Sequence, residues 1–99
     1  MKLINENIIK IESLCKIYNV AELYLFGSAT NKSFTANSDI DLLVKFKDIE
    51  LKNYFLNYLN FKKNLKQLLK REIDLVEIQA LKNPILIQSI NKSKKLIYG

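Results

Sequence analysis

Asp39 and Asp41 stand one apolar residue apart in the stretch SDIDLLVKF, and Asp74 sits between Ile73 and Leu75 in REIDLVEI. Both stretches read as strands from their β-branched and apolar content. Alternation along a strand puts Asp39 and Asp41 on one face, with attachment points roughly 7 Å apart at about 3.3 Å per residue, and sends Ile40, Leu42 and Val44 to the other. Two carboxylates at that spacing repel by roughly 2 kcal/mol at an effective dielectric of about 20; a cation between them turns the cost into a binding site. If the Asp74 strand lies beside the first, three acids converge. An all-oxygen donor set of this kind suits Mg2+ or Mn2+, which bind a few carboxylates together with waters and phosphate oxygens. Two such ions roughly 4 Å apart can clamp the attacking and leaving oxygens of an in-line phosphoryl displacement. Taken singly, each acid also has an ordinary structural reading: a turn cap for Asp39, a solvated sheet edge for Asp41, an ion pair for Asp74.

Upstream of these acids lies Gly27-Ser28, which includes the one internal glycine of the chain. A tight glycine turn exposes backbone N–H groups to a phosphate, and the serine hydroxyl donates a further bond. The Walker P-loop and the dinucleotide fingerprint need several glycines at fixed offsets and are excluded. The absence of histidine removes Ser-His-Asp, Cys-His and imidazole chemistry, and with Cys15 as the single cysteine it removes the usual zinc sites and any internal disulfide as well. Sixteen Lys and Arg against ten Asp and Glu give a net charge of +6, which favours anionic partners.

The elements that must position these residues follow from periodicity. Ile4, Ile8, Ile11, Leu14 or Cys15, and Tyr18 predict an amphipathic helix over 3–18, with Cys15 as a core filler. ELYLF, 22–26, predicts a strand ending at the Gly27 turn. The polar stretch 30–38 predicts a loop, with Phe34 anchored on the domain. A strand over 39–46 precedes a long helix that Asp48 would cap, with Leu51, Phe55, Tyr58, Leu65 and Leu69 as its apolar stripe and Lys52, Lys62, Lys63, Lys66 and Lys70 opposite. A strand over 71–78, a short helix opened by Asn83-Pro84 and running to about residue 91, and a last strand over 95–98 complete the order. At 99 residues the chain has the size of one domain, 1–99, and an α+β sandwich, a small mixed β-sheet covered by helices, fits this order. No apolar run approaches the roughly 20 residues of a membrane span, so a cytoplasmic protein is expected.

Gly-Ser, ten intervening residues and Asp-x-Asp, with a strand on either side, resembles the signature of the DNA polymerase β-like nucleotidyltransferases. Within that superfamily the chain is similar to the minimal nucleotidyltransferases, the MntA-type antitoxins encoded beside HEPN-domain RNase toxins; the resemblance covers nearly the whole chain. It implies that Gly27, Ser28, Lys32 and Ser38 contact ATP, and that Asp39, Asp41 and Asp74 hold Mg2+, two ions in all, with Asp74 beside the acceptor hydroxyl. It further implies transfer of AMP from ATP to a tyrosine of a partner HEPN toxin, whose RNase activity is thereby blocked. Many relatives place an arginine soon after Gly-Ser; this chain reads Ala29-Thr30-Asn31-Lys32, which leaves Lys32 as the nearby cation. Two other readings keep a place: an antitoxin that neutralises its partner by binding alone, and an RNA-binding module built on Lys62 to Lys70 with Tyr54 and Tyr58. The second requires those tyrosines outside the core, and direct nucleic-acid binding is not expected.

Overall fold

The computed structural model describes residues 1–27 and 39–99. The expected anchor Phe34 and the expected loop over 30–38 lie outside these residues. The described elements are α1 (Lys2–Glu6), α2 (Ile8–Ile17), β1 (Val20–Phe26), β2 (Ile40–Phe46), α3 (Leu51–Leu69), β3 (Ile73–Glu77), a 3-10 turn at Ile78–Ala80, α4 (Pro84–Ser93) and β4 (Lys95–Tyr98). The strands form one mixed sheet in the order β3-β2-β1-β4. β1 runs antiparallel to β2 and β4, while β2 and β3 are parallel. A parallel pair needs a crossover, and α3 is that crossover.

Parity along the strands decides where the core sits. Ile40, Leu42, Val44 and Phe46 of β2, and Ile73 and Leu75 of β3, are buried against Ile11 and Cys15 of α2 and Phe61, Leu65 and Leu69 of α3. A register shift between Val20 and Glu22 lets Val20, Leu23 and Leu25 all reach the same core although their spacing breaks strict alternation. Phe46 packs edge-on against Tyr54 and Phe61, with ring centroids 5.5 and 5.9 Å apart. The expected α+β architecture is therefore present, with α2 and α3 layered on one face of the sheet.

Several local expectations are corrected. The helix expected over 3–18 is interrupted at Asn7, whose side-chain amide donates to the Leu3 carbonyl at 2.9 Å while the next helix starts at Ile8. Asp48 does not cap α3: the helix begins at Leu51, Glu50 occupies the cap position, and no side chain there accepts a helix N–H. The buried stripe of α3 is Phe61, Leu65 and Leu69 with Tyr54 and Tyr58 packed beside it, whereas Leu51 and Phe55 are exposed. The strand expected from residue 71 begins at Ile73, since Lys70 ends α3 in a left-handed conformation, φ 55°. Asn83 caps α4 as its position before Pro84 suggests, its side-chain oxygen accepting from Ile85 and Leu86 N–H. Cys15 is fully buried as expected, and burial, with a smaller contribution from Glu12, pushes its thiol up to about 12.

Candidate active site

The face of the sheet turned away from α2 and α3 carries the acids. In β2 the residues between the core positions are Asp41, Leu43 and Lys45, and in β3 they are Asp74 and Val76. The parallel register sets Asp41 directly beside Asp74, and Ile40 beside Ile73. Neighbouring strands lie about 4.8 Å apart, so the two aspartates leave the same face at adjacent points. Asp39 precedes β2 and is exposed; Ile40 N–H donates to the Glu72 carbonyl at 3.0 Å, tying the start of β2 to the start of β3 at this level.

Asp41 is half-buried, and its carboxyl is raised above the ordinary range. Burial is the main cause, followed by the charges of Asp74 and then Asp39. Asp39 and Asp74 thus share one electrostatic neighbourhood with Asp41, and both their charges oppose its ionisation. That is a site prepared for a cation.

Across the strand pair, Phe26 at the end of β1 is in register with Asp41, and the chain turns at Gly27 with φ +71°. A Cβ at Gly27 would stand 2.2 Å from Asp41 Oδ2. Glycine is required here twice, by the left-handed backbone and by the approach of the turn to the carboxylate. Of the expected nucleotide contacts, Gly27 is therefore brought against Asp41; Ser28, Lys32 and Ser38 lie outside the described residues.

Tyr58 and Tyr54 are residues whose part at the site the sequence did not disclose. Both project from α3 toward β3, which stands at the edge of the sheet among the described residues. Tyr58 Oη donates to the Leu75 carbonyl at 2.5 Å, one residue after Asp74, and Tyr54 Oη donates to the Glu77 carboxylate. The i, i+4 spacing of two tyrosines about one helix-length upstream is their trace in the sequence. Bound in this way, they are not stacking platforms, and the RNA-binding reading loses its aromatic component.

Among the described residues no group of three acidic or thiol side chains is disposed to hold a metal ion unaided. The donor chemistry nevertheless fits Mg2+: hard carboxylate oxygens, few in number, with Asp41 half-buried and Asp39 and Asp74 exposed, and with the remaining coordination left to water and phosphate. Asp39, Asp41 and Asp74 are the residues that would hold it.

Comparisons with known proteins bear on this geometry. A family described as polymerase beta nucleotidyltransferase matches residues 9–99. A proposed protein adenylyltransferase of Methanocaldococcus jannaschii is 35% identical over 83 residues, 82% of this chain and 78% of the relative. Among solved structures, a toxin-antitoxin crystal structure with AMP-PNP superposes with a TM-score of 0.71 at 26% identity, over 94% of this chain and 73% of that one. The structure of a tri-AMPylated Shewanella oneidensis HEPN toxin in complex with its MNT antitoxin matches with a TM-score of 0.65 at 23% identity, over 96% and 71% of the two chains, a likeness of fold alone.

Proposed function

We propose that this chain, which belongs to the polymerase beta nucleotidyltransferase family, transfers AMP from ATP to a tyrosine hydroxyl of a HEPN-family RNase toxin and thereby acts as its antitoxin. The chain is a nucleotidyltransferase by its family, and relatives named as protein adenylyltransferases share about a third of its residues over most of its length. The observation that carries the finer reading is the side-by-side register of Asp41 and Asp74 with Asp39 two residues away, closed on one side by the Gly27 turn. The AMP-PNP bound in one structural neighbour and the AMP-modified toxin in another support nucleotide and acceptor respectively.

In the reaction the acceptor oxygen attacks the α-phosphorus of ATP, the bond from that phosphorus to the bridging oxygen breaks, and pyrophosphate leaves. Asp39, Asp41 and Asp74 would hold Mg2+, which would supply charge neutralisation to the triphosphate and the leaving pyrophosphate. Backbone N–H groups of the turn after Phe26, with Ser28, Lys32 and Ser38, orient the phosphates. Asp74 is exposed on the open side of the site, where it orients the incoming hydroxyl and takes its proton. The unit that performs this is residues 1–99, and the partner presents the acceptor.

The test is to incubate the purified chain with Mg2+, ATP and a HEPN-family partner and to weigh the partner by intact-mass spectrometry. A gain of whole AMP units that requires Mg2+ is the expected result. An unmodified partner whose RNase activity is nevertheless blocked would overturn catalysis in favour of inhibition by binding alone.

A further inference from the structure

The acid-bearing face of the sheet has a helix of its own. α3 carries the chain from β2 to β3, and α4 carries it from β3 back across the sheet to β4, in the opposite direction. Both connect parallel strands, and right-handed crossovers that run in opposite directions place their helices on opposite faces. α4 therefore lies on the face of Asp41. Ile90 of α4, and Leu43 of β2 with the parity of Asp41, are accordingly buried without belonging to the core beneath α2 and α3.

Lys94 ends α4, four residues after Ile90 and so on the same side of the helix. Its Nζ stands 4.4 Å from the centroid of the Tyr24 ring. Tyr24 is in register with Leu43, and Phe26 with Asp41, which makes Tyr24 the diagonal neighbour of Asp41 on this face, roughly 7 to 8 Å away. Lys94 is half-buried, and among the described residues it forms no ion pair. Glu22, the acid on its side of the sheet, is engaged elsewhere: it accepts from Tyr24 Oη at 2.5 Å and meets Lys45 Nζ at 3.8 Å. The aromatic ring thus fixes the ammonium without neutralising it, and its donors remain for anionic oxygens.

We propose that Lys94 binds the terminal phosphates of ATP and the pyrophosphate that leaves, an assignment that rests on the transfer reaction above. Across the sheet the order is Asp74 on β3, Asp41 on β2, the Gly27 turn at the end of β1, and Lys94 at the junction of α4 and β4. Lys95, the next residue, is in register with Leu25, so this junction stands at the end of the sheet where the acids are. An in-line displacement puts the leaving group on the side of the phosphorus opposite the acceptor oxygen. With the acceptor entering at Asp74 on the edge, the pyrophosphate must point past Asp41 toward β1 and β4, where Lys94 waits. The gap from Asp41 to the Tyr24 ring is one that a triphosphate spans and a single phosphate does not. Lys92, in the last turn of the same helix, is exposed and lies off the side of Ile90 and Lys94, which makes it the internal control.

Calorimetric titration of the full chain with ATP in the presence of Mg2+ tests it. Lys94→Met keeps the aliphatic stem over Tyr24 and removes the charge; it is expected to bind ATP about tenfold more weakly, the loss of one charge-assisted contact. Lys94→Arg should stay within about threefold of the wild type, since its cation also reaches a phosphate, and Lys92→Met should match the wild type. AMP, which lacks the terminal phosphates, should compete equally well for the wild type and for Lys94→Met. In the transfer assay KM for ATP should rise in Lys94→Met by the same factor with kcat within about twofold, as expected for a contact made before and during the reaction. A wild type that binds no ATP would overturn the transfer reading and this assignment with it. ATP binding and AMP transfer by the wild type with no weakening in Lys94→Met, a loss that Lys92→Met shares, a loss that Lys94→Arg does not restore, or an equal loss for AMP would overturn the assignment alone.

Discussion

The two faces of β2 differ in what they can tolerate. On one, Ile40, Leu42 and Val44 are buried in the common core with Phe61 and Leu65. On the other, Asp41 lies beside Asp74 and under the Gly27 turn, with its charge opposed by burial and by two neighbouring acids. Residues one position apart on a single strand are therefore under opposite requirements. Core parity is placed for stability, while site parity holds a charge arrangement that works against it. Separating the two by strand alternation lets a chain of this size carry an electrostatically opposed site without perforating the core beneath α2 and α3.

Substitutions on the two faces should separate accordingly. The largest effect is expected on the core side. Phe61→Ala removes a fully buried ring that touches Phe46 and Tyr18, and it should cost about 3 to 5 kcal/mol in denaturant unfolding, a large share of the stability of a domain this small. Transfer activity should then fall only in proportion to the unfolded fraction.

Gly27→Ala lies at the boundary. Left-handed backbone alone costs a residue with a side chain about 1 to 2 kcal/mol, and the new methyl must push the Asp41 carboxylate aside. Nucleotide transfer should drop far more than the melting temperature does; equal and modest changes in both would remove the turn from the site.

Tyr58→Phe should have the smallest effect on stability, about 1 kcal/mol for one hydrogen bond to the edge carbonyl of Leu75. Because that bond holds the strand carrying Asp74, kcat should fall while KM for ATP stays near its wild-type value. Amide exchange at Val76 and Glu77 should speed up in the same variant.

The acid pair, the glycine turn and most elements could be read from residue order because each is a local pattern: alternation, a glycine at a strand end, Asn-Pro before a helix. What escaped depended on tertiary contacts. On α3 two apolar arcs lie side by side, one through Leu51, Phe55 and Leu59 and one through Tyr54, Tyr58, Phe61 and Leu65, and periodicity does not say which of them meets a sheet. The register shift near Ala21 has no signature in VAELYLF. Asn7 breaks the first helix through a side-chain bond that any helical asparagine could decline. The adjacency of Asp41 and Asp74 required β3 to run parallel beside β2, which follows from the α3 crossover and not from either strand alone.

The central claim is that the acid face is held for chemistry at the expense of the fold, and Asp41→Asn tests it most directly. The raised carboxyl of Asp41 means that the folded, metal-free protein holds a proton more readily than the unfolded chain does. Its stability therefore falls as pH rises through the window from the ordinary carboxylate value to the raised one, and returns as pH drops. Removing the charge should relieve that penalty. Measured together in EDTA at neutral pH, the variant should melt higher than the wild type, with the difference fading in acid; assayed with Mg2+, ATP and partner, it should add no AMP. A variant that melts no higher and still transfers AMP would contradict the account.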